Sequence, residues 1–123
     1  MRAEIQNLVA EIQKSVDLLA QRLDIETAQH RLEEFNARVE DPNLWDNPEA
    51  AQKLMRDRQM LVDALDVHAR ISQDMVDNIE LIELGEMEDD AEVISDAEAT
   101  LKSLATLAAV SYTHLTLPTI LLV

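Results

Sequence analysis

The chain has 123 residues with one Gly, three Pro and no Cys, and its 25 Asp and Glu against 10 Lys and Arg give a formal charge of -15. One Gly cannot supply the turns of an all-β protein or a glycine-rich phosphate loop, and the lack of Cys excludes disulfides, Cys-ligated zinc and thiol catalysis. The negative charge disfavours nucleic acid and anionic membranes as partners and favours a basic protein. The length predicts one domain, and the abundance of Ala, Leu, Glu and Asp is typical of long helices.

The start of the chain predicts two consecutive amphipathic helices. The first is predicted over 3–22 from apolar residues at steps of three and four, which are Ile5, Leu8, Ile12, Val16, Leu19 and Leu23. The second is predicted over 24–40 with Asp24 as its N-cap, because an Asp side chain accepts the free N–H groups of a first turn. It ends at Asp41-Pro42, since the residue before Pro is pushed out of the α region. Its heptad seam consists of Ile25, Ala28, Leu32, Phe35 and Val39.

The segment 41–48, DPNLWDNP, is the clearest internal loop, because two Pro and several Asp and Asn fall within eight residues. Either Asp46 or Asn47 is predicted to cap the next helix, and Pro48 suits its first turn. We interpret Trp45 as a lid packed over the end of the bundle, with a side chain that faces a partner as the alternative.

A long third helix is predicted over 48–84, which at ~1.5 Å per residue would span about 55 Å. Arg58, His68 and Ser72 interrupt its apolar stripe, whose members are Ala51, Leu54, Leu61, Leu65, Met75, Ile79 and Ile82. Gly85 lies where the stripe stops and is predicted to be a left-handed C-cap.

A fourth helix is predicted over 90–109, with Asp89 and Glu92 as its capping box. Its seam consists of Ile94, Ala97, Leu101, Leu104 and Ala108. Together these patterns predict an all-α protein, an elongated antiparallel helical bundle or coiled-coil-like hairpin of about four helices. The domain is expected to cover 1–109, and the uncharged, Thr-rich segment 110–123 is interpreted as sequence foreign to it.

Acidic residues concentrate in 74–98, which holds 11 Asp and Glu and no Lys or Arg. Such a run is either a solvated outer face or a docking surface for a basic protein patch. The start of the chain carries no secretory signal, and the last 14 residues are too short to span a bilayer, which takes ~20 apolar residues. We therefore expect a cytoplasmic protein without a membrane partner.

The sequence offers no candidate catalytic, cofactor-binding or metal-binding residue. Neither His30, His68 nor His114 has Glu three residues before it, so the Glu-x-x-His pattern of metal-binding bundles is missing. His68 lies on the apolar stripe and is interpreted as a polar-layer or end-packed residue rather than a metal ligand. No Gly flanks a Ser as a nucleophile elbow requires. We expect no cofactor and no enzyme activity. A metal-dependent bundle enzyme is the contrary possibility, and elemental analysis would detect its bound metal.

The segment 31–58 resembles the N-terminal domain of the bacterial peptide chain release factor 2 family. The resemblance lies in Arg31-Leu32-Glu33-Glu34, in Asn36, and in the loop that carries Asp41-Pro42, Leu44-Trp45, Pro48-Glu49 and Ala51-Gln52. Leu23-Asp24 upstream and the sequence LIEL at 81–84, which acids follow, also fit. The similarity covers roughly 1–107, and its loop is more specific than its helices.

This resemblance implies a role in translation termination and protein biosynthesis. The family reads UAA and UGA on the ribosome and releases the peptide with a Gly-Gly-Gln loop, and its codon choice is linked to Ser-Pro-Phe. This sequence has one Gly, and its one Phe, Phe35, follows Glu34, so neither motif is present and no such residue carries over. The resemblance implies a fragment that contacts the ribosomal stalk base and the recycling GTPase without reading nucleic acid. The alternative is a free-standing acidic helical adaptor.

Overall fold

The computed structural model describes residues 2–114, which form four α-helices and contain no strand. The helices are α1 (Ala3–Leu23), α2 (Ile25–Val39), α3 (Pro48–Met87) and α4 (Ala91–His114), and a short 3-10 helix, Leu44–Asp46, lies between α2 and α3. The predicted all-α fold of four helices is therefore confirmed. α4 continues five residues past its predicted end, into the segment taken as foreign, and the rest of that segment, 115–123, lies outside the described residues.

A single residue, Asp24, joins α1 to α2. Its backbone is left-handed (φ 50°), and its N–H donates to the carbonyl oxygen of Ala20 at 2.8 Å, which closes α1. Its side chain accepts hydrogen bonds from the backbone N–H of Thr27 at 3.4 Å and from the Thr27 hydroxyl at 2.9 Å. The predicted N-cap is confirmed, and the same residue also ends the preceding helix.

The loop before α3 contains an expected helix cap and a Trp side chain that is unexpectedly exposed. Asn47 caps α3, since its side chain accepts from the N–H of Ala50 at 3.3 Å, whereas Asp46 lies inside the 3-10 helix. Trp45 is 60% exposed, so the interpretation of this residue as a packed lid is wrong. The 3-10 helix turns Leu44 toward the core instead, and Leu44 packs against the residues buried between α2 and α3.

Two hydrophobic clusters divide the molecule along α3. The three-helix part consists of α1, the second half of α3 and α4, and its buried residues are Ile5, Ile12, Val16, Ile71, Met75, Ile82, Ala97, Leu101, Leu104, Ala105 and Ala108. The two-helix part consists of α2 and the first half of α3, closed by the end of α1, and its buried residues are Leu23, Ala28, Phe35, Leu54 and Leu61. The long helix thus changes partners near its middle.

The buried face of α3 rotates where the partner changes. In the three-helix part its buried positions are Ile71, Met75, Asn78, Ile82 and Gly85, which step by four and three. The predicted stripe had Ser72 and Ile79 at this level, and both are only half-buried. Asn78 donates from its side-chain nitrogen to the carbonyl oxygen of Asp74 at 2.7 Å, which satisfies that donor inside the interface.

The turn between α3 and α4 differs from the prediction in two ways. Gly85 lies within α3 and has no positive φ; the left-handed residue is Asp89 (φ 54°). The N–H of Asp90 donates to the carbonyl oxygen of Gly85 at 2.8 Å and that of Asp89 donates to Glu86 at 3.4 Å, the two hydrogen bonds of a Schellman motif. Asp90, not Asp89, caps α4, because its side chain accepts from the N–H of Val93 at 3.3 Å.

Gly85 is required by close packing rather than by its backbone angles. A Cβ atom at this position would lie 2.8 Å from Cγ1 of Ile94 and 3.3 Å from the carbonyl oxygen of Asp90. The first turn of α4 can therefore approach α3 closely because the residue beneath it has no side chain. A sequence pattern does not distinguish this use of Gly from a helix end.

Candidate docking surface

Among the described residues, metal-ligating side chains are dispersed and the grooves beside α4 are shallow. No group of three or more His, Asp or Glu among them is placed to hold a metal ion. No helix among them is long and apolar enough to cross a membrane. Two shallow grooves lie beside α4, and both are open to solvent. One is near Arg2 and Glu98, and the other is lined by Leu8, Glu11, Lys102, Ala105, Thr106, Ala109 and Val110.

The histidines lie apart from one another where the structure describes their side chains. His30 is exposed on α2, with Nδ1 3.9 Å from a carboxylate oxygen of Glu33. His68 is half-buried in the middle of α3. Burial lowers the pKa of His68 below 6.5, and the carboxylate of Asp17 opposes that shift. A lowered pKa favours the neutral imidazole, which fits the predicted polar layer better than a charged site.

The acidic run 74–98 covers the end of α3, the turn and the first two turns of α4. Most of these carboxylates are exposed, including Asp77, Glu80, Glu83 and Glu88. Glu98 forms an ion pair with Arg2 from the start of α1, and Asp77 accepts a hydrogen bond from Gln73 at 2.8 Å. No Lys or Arg lies within the run. The end of the molecule at the α3–α4 turn therefore presents concentrated negative charge.

Apolar side chains share this acidic surface. Val76, Leu81 and Leu84 are 43%, 44% and 48% exposed, and Met87 is 84% exposed. At 100° per residue Val76, Leu84 and Met87 project from the side of α3 opposite its buried face, and Leu81 lies at the edge, about 40° around the helix from Gly85. We call the α3 outer face the surface formed by Val76, Asp77, Glu80, Leu81, Glu83, Leu84, Met87 and Glu88.

The sequence reasoning identified the acids of this face but not its apolar members. The sequence did contain a sign of these apolar members. Leu81, Leu84 and Met87 step by three outside the predicted core stripe of α3, so the stripe does not account for them. Burial was needed to show that nothing in the described chain covers them. Exposed apolar side chains rimmed by polar groups are one mark of an interaction site.

The other end of the molecule has a different character. The segment 25–70 carries ten acids and six Lys or Arg, so charges of both signs are mixed there. Nε of Arg58 donates to Oδ1 of Asn36 at 2.7 Å, which ties α3 to α2. Trp45 is the one large apolar side chain exposed in the adjacent loop. The acidic surface with exposed apolar side chains therefore belongs to the three-helix part.

Comparison with known proteins identifies the family. Residues 28–121 match the model of the PCRF domain. A peptide chain release factor 2 of Roseobacter denitrificans is 72% identical over 109 residues, and one of a Ruegeria species is also 72% identical over 109 residues. A peptide chain release factor 2 of Paramagnetospirillum magneticum is 45% identical over the same length.

These alignments cover most of this chain but a minor part of each relative. Each includes 89% of this chain and 29% of the relative's length. The resemblance inferred from the loop at 41–48 and from the preceding helix is thus confirmed. The chain belongs to the peptide chain release factor family, as a PCRF domain of the release factor 2 type.

Proposed function

We propose that this chain serves translation termination as the non-catalytic N-terminal domain of a class I peptide chain release factor that acts at UAA and UGA on cytoplasmic ribosomes. Its task is docking, through contacts with the ribosomal stalk base, the recycling GTPase, or both. The family membership supports the ribosomal setting. The concentrated acidic surface of the three-helix part supports binding to a basic protein over reading of RNA, because phosphates would be repelled.

The observation that carries the proposal is the asymmetry of charge along the chain. Eleven acids without a base lie in 74–98, whereas 25–70 has mixed charges. Exposed charges act over a Debye length of ~8–10 Å at moderate salt, so a basic surface must approach this end closely to gain from it. Docking by this end would leave the mixed-charge end free for other contacts.

Binding to purified large ribosomal subunits tests the proposal. We expect the full 123-residue chain to cosediment with the subunits and its affinity to fall as salt rises, because exposed charge pairs are screened. The variant Glu80→Gln, Glu83→Gln, Glu86→Gln should bind several-fold more weakly, at roughly 0.2–1 kcal/mol per exposed pair. The matched control is Glu26→Gln, Glu34→Gln, Glu40→Gln on α2 and its C-cap, which makes the same change in charge and should bind normally. Equal binding by both variants would contradict the docking role of this surface.

The absence of catalysis is a separate expectation. Because the sequence cannot contain Gly-Gly-Gln, the purified chain should release no peptide from a ribosome stalled at a stop codon. The measurement is hydrolysis of labelled peptidyl-tRNA, with an intact release factor as positive control. Release above the no-protein background would show that this chain acts as an enzyme.

A free-standing acidic adaptor is the second candidate, and the self-contained core supports it, since α1, α3 and α4 bury their apolar faces against one another. Such an adaptor would bind its basic partner equally well with or without ribosomes. We also propose that the segment 110–123 is foreign to the domain, because it carries no Asp, Glu, Lys or Arg and the relatives align over 109 residues, although the PCRF match runs to residue 121. Resequencing of the parent gene across codons 105–115 tests this, and an unbroken natural reading frame there would refute it. A Gly-Gly-Gln frame downstream would favour the release factor over the adaptor.

A further inference from the structure

We propose that the α3 outer face binds one short, positively charged amphipathic helix of a protein partner, with apolar contacts and ion pairs formed together. This inference deepens the proposed docking function and rests on it, since it names the surface and the chemistry of its occupant. The starting point is that four large apolar side chains remain exposed on α3, three of them on the side opposite the packed one and Leu81 at its edge.

The composition of the face determines the chemistry of the occupant. Around the helix the apolar residues Val76, Leu84 and Met87 lie between the carboxylates of Glu83, Glu80 and Asp77. A partner must therefore supply aliphatic area and positive charge at alternating positions. Lys and Arg do both, because their methylene stems pack on apolar side chains while their charged heads reach carboxylates.

The dimensions of the face fit a helix of about three turns. Val76 and Met87 are eleven residues apart on one straight helix, so the face is ~16 Å long. An amphipathic helix binds such a face with residues at steps of three and four, the usual mode of helix recognition in a groove or on a helix surface. The α3–α4 turn bounds the face at one end, because α3 ends at Met87.

Other occupants conflict with the charge of this face. A second copy would bring the same carboxylates against each other, and an anionic lipid surface or a nucleic-acid backbone would be repelled in the same way. Water alone leaves Met87 at 84% exposure and three further apolar side chains of α3 exposed as well, whereas a partner would remove their apolar area from water. Charge complementarity therefore favours a basic protein segment over a copy of this chain, a membrane or RNA.

The test separates the apolar contribution from the charges. The variant Leu81→Ser, Leu84→Ser, Met87→Ser keeps every carboxylate, and should bind large ribosomal subunits about tenfold or more weakly, since anchors at an interface centre dominate its energy. The control is Met60→Ser, which changes a residue 41% exposed in the two-helix part and should bind normally. Circular dichroism checks that both variants fold. High salt should weaken wild-type binding without abolishing it, because the apolar contacts are not screened.

A photo-crosslinker in place of Leu84, compared with one in place of Met60, identifies what touches the face. A crosslink from position 84 to a helical segment rich in Lys and Arg supports the proposal. A crosslink to rRNA, to a second copy or to this same chain overturns it.

The remaining outcomes distinguish this inference from the proposed function. If the wild type binds subunits and the triple Ser variant binds equally well, the face is not used, while ribosome docking stands. If the wild type does not bind subunits, the proposed function fails, and a synthetic 18-residue Leu/Lys amphipathic peptide then tests the face by NMR. Shifts confined to the α3 outer face support the inference, whereas no binding, or shifts elsewhere, overturn it. A Leu/Glu peptide of the same pattern is the control.

Discussion

The two parts of the molecule share α3 but are built differently. The three-helix part buries eleven residues in its described core, whereas the two-helix part buries five. The large part also carries the acidic surface with exposed apolar residues, and the small part carries mixed charges and an exposed Trp45. The comparison teaches that the surface proposed for docking lies on the part with the larger buried core, where buried neighbours would hold a binding face in place.

Equivalent core truncations in the two parts test this contrast most strongly. Leu101 and Leu61 both have 0% exposure, one in each cluster. Leu101→Ala should cost about 3 kcal/mol of unfolding free energy, because it leaves a cavity in the core that closes three helices. Leu61→Ala should cost less unfolding free energy, because the two-helix part can open locally while the three-helix part stays folded.

Urea unfolding followed by circular dichroism gives both values, and hydrogen exchange shows whether α2 opens separately. Leu107→Ala is the control on α4, because Leu107 is 44% exposed and should change stability little. An equal loss for Leu101→Ala and Leu61→Ala, with uniform exchange, would mean that the two parts form one cooperative unit.

The close approach of α4 to α3 gives the next largest effect. Gly85→Ala places a methyl group 2.8 Å from Cγ1 of Ile94 and should destabilise the three-helix part by about 1–2 kcal/mol, after the better helix propensity of Ala is counted. The double variant with Ile94→Ala removes the clashing atom. Its loss should therefore be smaller than the sum of the two single losses, as measured in a double-mutant cycle. If the two single losses of unfolding free energy simply add in the double variant, α4 moves away from the new methyl group without strain.

The start of α3 provides a smaller effect confined to the two-helix part. Asn47→Ala removes the side chain that accepts from the N–H of Ala50 and should cost about 1 kcal/mol. Asn43→Ala is the matched control, because the side chain of Asn43 makes no capping hydrogen bond. The fluorescence of Trp45 reports locally on this end, while circular dichroism reports on the whole. A loss seen by both probes at the same urea concentration would argue against separate opening.

The smallest effect concerns His68, which lies between the two parts. Its pKa is lowered by burial, so the folded state binds protons less readily than the unfolded state, whose pKa is near 6.5. Stability should therefore decline as the pH falls below about 6.5 and be unaffected above it. His68→Gln should remove this component, which appears as the difference between the two proteins in urea midpoints at pH 7.5 and pH 5.5. Identical pH dependence in both would show that the imidazole does not contribute.

Helix identity followed from the sequence because periodicity and capping residues are local signals. Asp24, Asn47 and the 3–4 spacing of α1, α2 and α4 were all readable, since each depends on neighbours within one or two turns. The placement of Ile71, Asn78 and Gly85 at the buried face could not be read from the sequence. It depends on the change of packing partner along α3, from α2 in its first half to α1 and α4 in its second half, which the pattern of one helix does not reveal.

The candidate surface was predictable only in part for the same reason. The acidic run is a count along the chain, so the sequence contains it directly. The exposure of Trp45 and Met87 depends on which side of a helix the rest of the molecule covers. Leu44 and Trp45 are adjacent apolar residues, and the direction of the 3-10 helix decides which of them packs against the core.

The one-residue joint at Asp24 has a consequence for how this domain can change in length. α1 and α2 meet without a loop, so the rotational phase of Ala28 and Phe35 is set by the residue count from Leu23. One inserted residue at this joint would change the direction in which α2 leaves α1 and displace its apolar side chains from the core. Length variation is therefore expected to be more disruptive at Asp24 than in the segment 40–47, where a loop absorbs it.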